Sequence, residues 1–87
     1  GVQTNTIYEK DKILTTVQGE DEENKVSQTI DSTQIAQVIG DNKTSSTMTQ
    51  DGLNITHDKT TLDLNDDEAI IAQGKSKVKV IDGVVYS

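Results

Sequence analysis

Asp51-Gly52-Leu53-Asn54-Ile55-Thr56-His57-Asp58-Lys59-Thr60-Thr61-Leu62-Asp63-Leu64 is the stretch on which the fold turns. Leu53, Ile55 and His57 alternate with Asn54 and Thr56. A two-residue break follows at Asp58-Lys59, and Leu62 and Leu64 then alternate with Thr61 and Asp63. Alternation with a period of two sorts side chains onto opposite faces of a strand. Two such runs around a polar break read as two short strands. Asp51-Gly52 before them and Asp82-Gly83 near the end of the chain read as tight turns, because Gly adopts the positive φ that such turns require.

The same beat extends in both directions. Gly19, Asn24, Asp31, Gly40-Asp41-Asn42, Asn65-Asp66-Asp67 and Gly74 punctuate the chain roughly every eight residues. Val26, Gln28 and Ile30 share one parity, as do Ile35, Gln37 and Ile39, and Val78 and Val80. Residues 43–50 form a polar Ser/Thr run around Met48, and residues 1–24 read as an irregular N-terminal segment with anchors at Ile7, Tyr8, Ile13, Leu14 and Val17. A short helix is the alternative over residues 32–39, capped by Ser32 or Asp31, and over residues 67–73. Strands are the more economical reading, since the two-residue period continues on either side.

Composition limits what such strands can build. The chain has 87 residues, 31% hydrophobic and 2% aromatic, with no Phe, Trp, Cys or Pro. A lone domain this small and this poor in apolar surface struggles to offset the entropy of ordering its chain. Disorder is one outcome consistent with a net charge of −7. The alternating Ile, Val and Thr and the absence of Pro favour the other, an all-β chain that folds as an obligate oligomer. Three copies of a medium aliphatic fill a narrow axis where three Phe do not. A slender homotrimeric rod with Leu53, Ile55, Leu62, Leu64, Val78 and Val80 turned inward is therefore the expected architecture. With Asp and Glu at 15 against 8 Lys and no Arg, no nucleic-acid partner is expected. Gly1 reads as a residue left by cloning and the chain as a piece of something longer.

Residues 51–64, followed by Gly74-Lys75-Ser76-Lys77-Val78-Lys79-Val80-Ile81-Asp82-Gly83-Val84-Val85, resemble the trimeric β-helix shaft of contractile-tail central spikes. These are the membrane-piercing baseplate proteins of tailed phages and their relatives in type VI secretion and pyocins. The resemblance covers residues 25–87 and rests on the style of the repeat. It implies an intertwined homotrimeric β-helix, a triangular prism. Residues 25–87 would be its shaft or tip and Gly52, Gly74 and Gly83 would be turn positions. It also implies a virion location in the tail, attachment to a baseplate or tail tube, and a host envelope as target. The expected function is mechanical penetration of that envelope; the alternative is a trimeric tail-fibre or adhesin shaft used for receptor attachment. Two family features are missing: the His-x-His pair that binds iron near the tip, and the strict Val-x-Gly octad.

The chemistry-bearing residues are few. His57 shares parity with Leu53 and Ile55, so three copies of it on an axis are a candidate site for a metal or an anion. The alternative is a solvated histidine at a strand end. No other cofactor is expected. Asp63-x-Asn65-x-Asp67 imitates the start of a calcium loop, but Glu68 replaces the turn Gly and Gly74 stands where the bidentate Glu belongs. With Asp66-Asp67-Glu68 and Asp21-Glu22-Glu23 it reads as a charged turn. Asn42-Lys43-Thr44 and Asn54-Ile55-Thr56 match glycosylation triplets. No phosphate loop or nucleophile–base spacing is present, so no enzymatic activity is expected; a glycan lyase or hydrolase on a β-helix is the catalytic rival.

Overall fold

A computed structural model describes residues 2–87. Ten strands follow one another: β1 (Gln3–Glu9), β2 (Lys12–Gln18), β3 (Lys25–Asp31), β4 (Gln34–Ile39), β5 (Thr44–Thr49), β6 (Gly52–His57), β7 (Thr60–Leu64), β8 (Glu68–Gln73), β9 (Ser76–Ile81) and β10 (Val84–Tyr86). Each pairs antiparallel with the next, giving one sheet in strict sequence order. Among the described residues there is no helix. Residues 32–39 and 67–73 thus fall in loop and strand.

The sheet is a plate of 48 × 31 × 14 Å. Ten strands at ~4.8 Å spacing span roughly 43 Å, so the long axis runs across the strands and the intermediate axis along them. The thickness is that of one layer with side chains on both sides. Strand length is seven residues in β1–β3, five or six in β4–β9 and three in β10.

The expectation of an irregular segment over residues 1–24 is corrected for most of its length. β1 and β2 pair over their full seven residues, from Gln3↔Gln18 to Glu9↔Lys12, and the longest break among the described residues of this segment is the loop between Gln18 and Lys25. Thr4, Thr6, Thr15 and Thr16 dilute the apolar pattern there, but Thr is itself a strand former. The Ser/Thr run is likewise a strand, β5, held between β4 and β6.

Turn chemistry follows the expected residues at two sites. Asp82 and Gly83 both have positive φ, 49° and 77°, as a type I′ hairpin requires, and Gly74 at 58° opens the two-residue turn before β9. Gly52 differs. The turn lies at Gln50-Asp51, where the Asp51 N–H donates to Thr49 Oγ1 at 3.1 Å, and Gly52 is the first residue of β6 with φ 155°. Its missing Cβ makes room for the backbone carbonyl of Leu64, so close approach to the neighbouring strand is what demands glycine there.

Candidate assembly interface

Register assigns every strand side chain to a face. Charged strand residues all fall on one side: Glu9, Lys12, Lys25, Asp31, Asp63, Glu68, Lys77 and Lys79. Opposite charges adjoin there, as Glu9↔Lys12↔Asp31 does across β1–β3, and Lys79 Nζ lies 3.7 Å from Glu68 Oε2. Ile7, Leu14, Ala36, Val38, Ile70, Ala72, Ile81, Val84 and Tyr86 also lie on that side, among Thr, Ser, Asn and Gln.

The other face carries no Lys, Asp or Glu and resolves into three rows. In the first, Tyr8, Ile13, Ile30, Ile35, Met48, Leu53, Leu64, Ala69, Val80 and Val85 are paired in unbroken succession across all ten strands. The middle row runs Thr6, Thr15, Gln28, Gln37 and Ser46, then turns apolar with Ile55, Leu62, Ile71 and Val78. A third row runs Thr4, Val17, Val26 and Ile39, then Thr44, His57, Thr60, Gln73 and Ser76, with its three aliphatics where the middle row is polar.

The six inward candidates therefore share one face, with Leu53, Leu64 and Val80 in the first row and Ile55, Leu62 and Val78 in the middle one. None forms a core within the single chain, because no described residue is buried. Ile35 is 43% exposed, Met48 52% and Ile71 57%. A one-layer sheet has nothing of its own to cover such a face, and contiguous apolar surface of this extent marks an interaction site. The plate's 48 × 31 Å outline exceeds the ~800 Å² that each partner gives to a standard interface.

Polar groups on this face are tied to each other. Gln28 Nε2 donates to Gln37 Oε1 at 3.2 Å, Gln37 Nε2 donates to Ser46 Oγ at 3.4 Å, and the hydroxyls of Thr6 and Thr15 lie 3.4 Å apart. In the third row Gln73 Nε2 donates to Thr60 Oγ1 at 2.8 Å. These are ladders of cross-strand pairs, the sheet's counterpart of helical i,i+4 neighbours. Sequence parity placed Gln28 and Gln37 with their aliphatic neighbours; only the register shows that they stand side by side.

His57 ends β6, exposed, with Nδ1 2.7 Å from Thr44 Oγ1. It belongs to the third row, one position outside Ile55, and among the described residues no three His, Cys, Asp or Glu cluster as metal ligands. Asn65 is engaged by its own loop: its Oδ1 accepts the N–H groups of Asp67 and Glu68 at 2.9 and 3.0 Å. That is an Asx turn. Asp31 repeats it between β3 and β4, accepting the N–H of Thr33 at 2.8 Å and of Gln34 at 3.1 Å. The Thr33 N–H and hydroxyl bonds hold the Asp31 carboxyl below its ordinary 3.8. In the acidic loop, the Gln18 side-chain amide faces the carbonyls of Gly19, Asp21, Glu22 and Asn24 at 3.1–3.4 Å and organises the turn from within.

Comparison with family models, with curated proteins and with solved structures finds no match for this chain.

Proposed function

We propose that the chain forms one side of a homotrimeric, three-sided β-prism, and that the prism is a cell-puncturing spike carried on a phage-type tail or baseplate and aimed at a host envelope. The observation that carries the reading is the separation of charge. Every Lys, Asp and Glu of the strands lies on one face, and a contiguous apolar surface without any of them lies on the other, unburied. Three such plates with their uncharged faces inward bury that surface and leave a soluble, mixed-charge sheath. Strand shortening toward β10 suits a rod that narrows, and hydrogen-bonded strands stacked along the long axis suit one loaded end-on. The resemblance of residues 25–87 to central spikes points the same way. In this reading the protein works by stiffness and shape, with no catalytic residue and no required cofactor.

Light scattering on the isolated chain tests the assembly. A mass three times the 9.5 kDa of the chain, with a cooperative β signal in circular dichroism, is expected. Twice that mass would indicate a two-layer sandwich, and a monomer would sink the prism altogether. The spike and fibre-shaft readings part in the parent particle. Particles in which the chain stops after β5 adsorb to cells normally but fail to breach them if the prism is a spike. They fail to adsorb if it is a shaft for attachment.

A further inference from the structure

The uncharged face contains one feature that stability alone does not call for. Its middle row is polar through the first five strands, at Thr6, Thr15, Gln28, Gln37 and Ser46, and apolar through the next four, at Ile55, Leu62, Ile71 and Val78. The change falls between two paired neighbours, Ser46 and Ile55. The first row, by contrast, is apolar from Tyr8 to Val85 and looks alike at every height. An assembly specified by that row alone can slide by one hairpin without losing much contact, because Ile, Leu, Met and Val are near-equivalent when buried.

We infer that the Gln28–Gln37–Ser46 ladder, ending at Ile55, fixes the axial register and copy number of the assembled protein. This rests on the trimeric reading above. In a three-sided arrangement the middle rows of the three sheets face one another across the axis. Within one chain the ladder leaves capacity unused: each glutamine amide has a second N–H and further acceptor positions beyond the bonds at 3.2 and 3.4 Å. In register, those groups meet the same groups of two other chains. Slipped by one hairpin, Gln37 and Ser46 of one copy stand against Ile55 and Leu62 of another, and the buried amides lose their partners. A single polar position in an otherwise apolar seam is known to set register and oligomer state in coiled coils at a cost in stability. The ladder does the same for a sheet-built rod, and the hydrogen bonds that pre-align it within each chain are the second half of the device.

The test is the double variant Gln28→Val with Gln37→Val, read by native mass spectrometry and by spin-label distances. The chain has no cysteine; one introduced at Ser45, beside Ser46 on the charged face, gives a unique label. The unsubstituted ladder is expected to show a single mass and one narrow inter-label distance. The double variant is expected to associate at least ten times more tightly, and to give several masses or a broad set of distances. A variant with one mass and the same narrow distance overturns the inference. So does one that no longer associates, which would make the ladder a source of cohesion. If the labelled chain with its native ladder is a monomer, both this inference and the prism fail. If it is a uniform trimer and the variant is too, only this inference fails.

Discussion

The two faces of the sheet share one backbone and one set of turns, yet a charge is treated oppositely on each. On one side charged residues are placed where they adjoin opposite charges or solvent. On the other, one residue away along every strand, there are none. Half of this follows from repulsion: charges across a face keep plates from stacking on it indiscriminately. The remaining half is the uncharged face, which the single chain leaves unburied and which the proposed prism would cover. The lesson is that the boundary between a surface and a core can lie within one strand of a monomer that has no core of its own.

The largest effect should come from moving a charge across that boundary. Ile55→Asp sets a carboxylate in the middle of the uncharged face, where the proposed prism would bring three together. Burying an unpaired charge costs about 3–5 kcal/mol, and assembly should be lost in light scattering. Thr56→Asp, the next residue, faces the charged side between Ser45 and Thr61. It should stay assembled with a stability change of no more than about 1 kcal/mol, because this half-buried position keeps contact with solvent. Equal effects at the two positions would erase the distinction between the faces.

Next in size is a backbone contrast between Gly52 and Gly74. An alanine Cβ at Gly52 meets the backbone carbonyl of Leu64, whereas one at Gly74 meets open space. Gly74→Ala should cost about 1–2 kcal/mol, for the left-handed conformation only. Gly52→Ala adds the clash with a strand that cannot retreat without breaking the β6–β7 ladder, and should cost about 3 kcal/mol or more. Thermal denaturation of the two variants gives the comparison directly; equal shifts would mean that β6 and β7 separate easily.

Much of this fold was legible because its signal is local. Alternation at Leu53, Ile55, Leu62 and Leu64 and the Gly/Asp/Asn punctuation are short-range features, and the residues that parity groups within each run share a face of the sheet. What parity cannot supply is which residue stands beside which on the next strand. Gln28 and Gln37 looked like interruptions of two apolar strands until the register paired them. Tyr8 and Ile13 looked like isolated anchors until they proved to be the head of the first row. Gly52 was misplaced by one step because Asp-Gly is a turn signal in itself, while the carbonyl of Leu64 that requires the glycine is twelve residues away. His57 shares parity with Ile55, but parity does not say that it lies in the outer row beside Thr44.

A smaller effect separates the two Asx loops, one capped by a carboxylate and the other by an amide. The Thr33 bonds lower the Asp31 pKa, so this group contributes stability above its ordinary 3.8 and loses it as pH falls through the lower folded value. Asn65 makes the corresponding bonds without a proton to gain. Asp31→Asn should therefore fold nearly as well at pH 7, since Asn and Asp cap equally, and lose less stability than the native chain as pH falls below the carboxyl's ordinary 3.8. Identical acid titrations of unfolding would show that the carboxylate's charge is irrelevant to the loop.

The smallest predicted effect separates two ion pairs, one between turns and one on the charged face. Lys43 and Asp58 are 3.8 Å apart with side chains 59% and 61% exposed; Lys79 and Glu68 are 3.7 Å apart at 34% and 23%. The first pair joins two turns that are already held by the Asp58 N–H donating to the Lys43 carbonyl at 3.0 Å, so its charges add little. The second crosses strands β8 and β9 with Ile70 paired to Lys79 between them, where the lysine stem covers apolar surface. Asp58→Asn should fall within experimental error of the native chain, and Glu68→Gln should cost no more than about 1 kcal/mol, shrinking further in 1 M salt. A salt-insensitive loss at Glu68 would mean that the lysine stem's packing, rather than the charge, holds the outer face of β8 and β9 together.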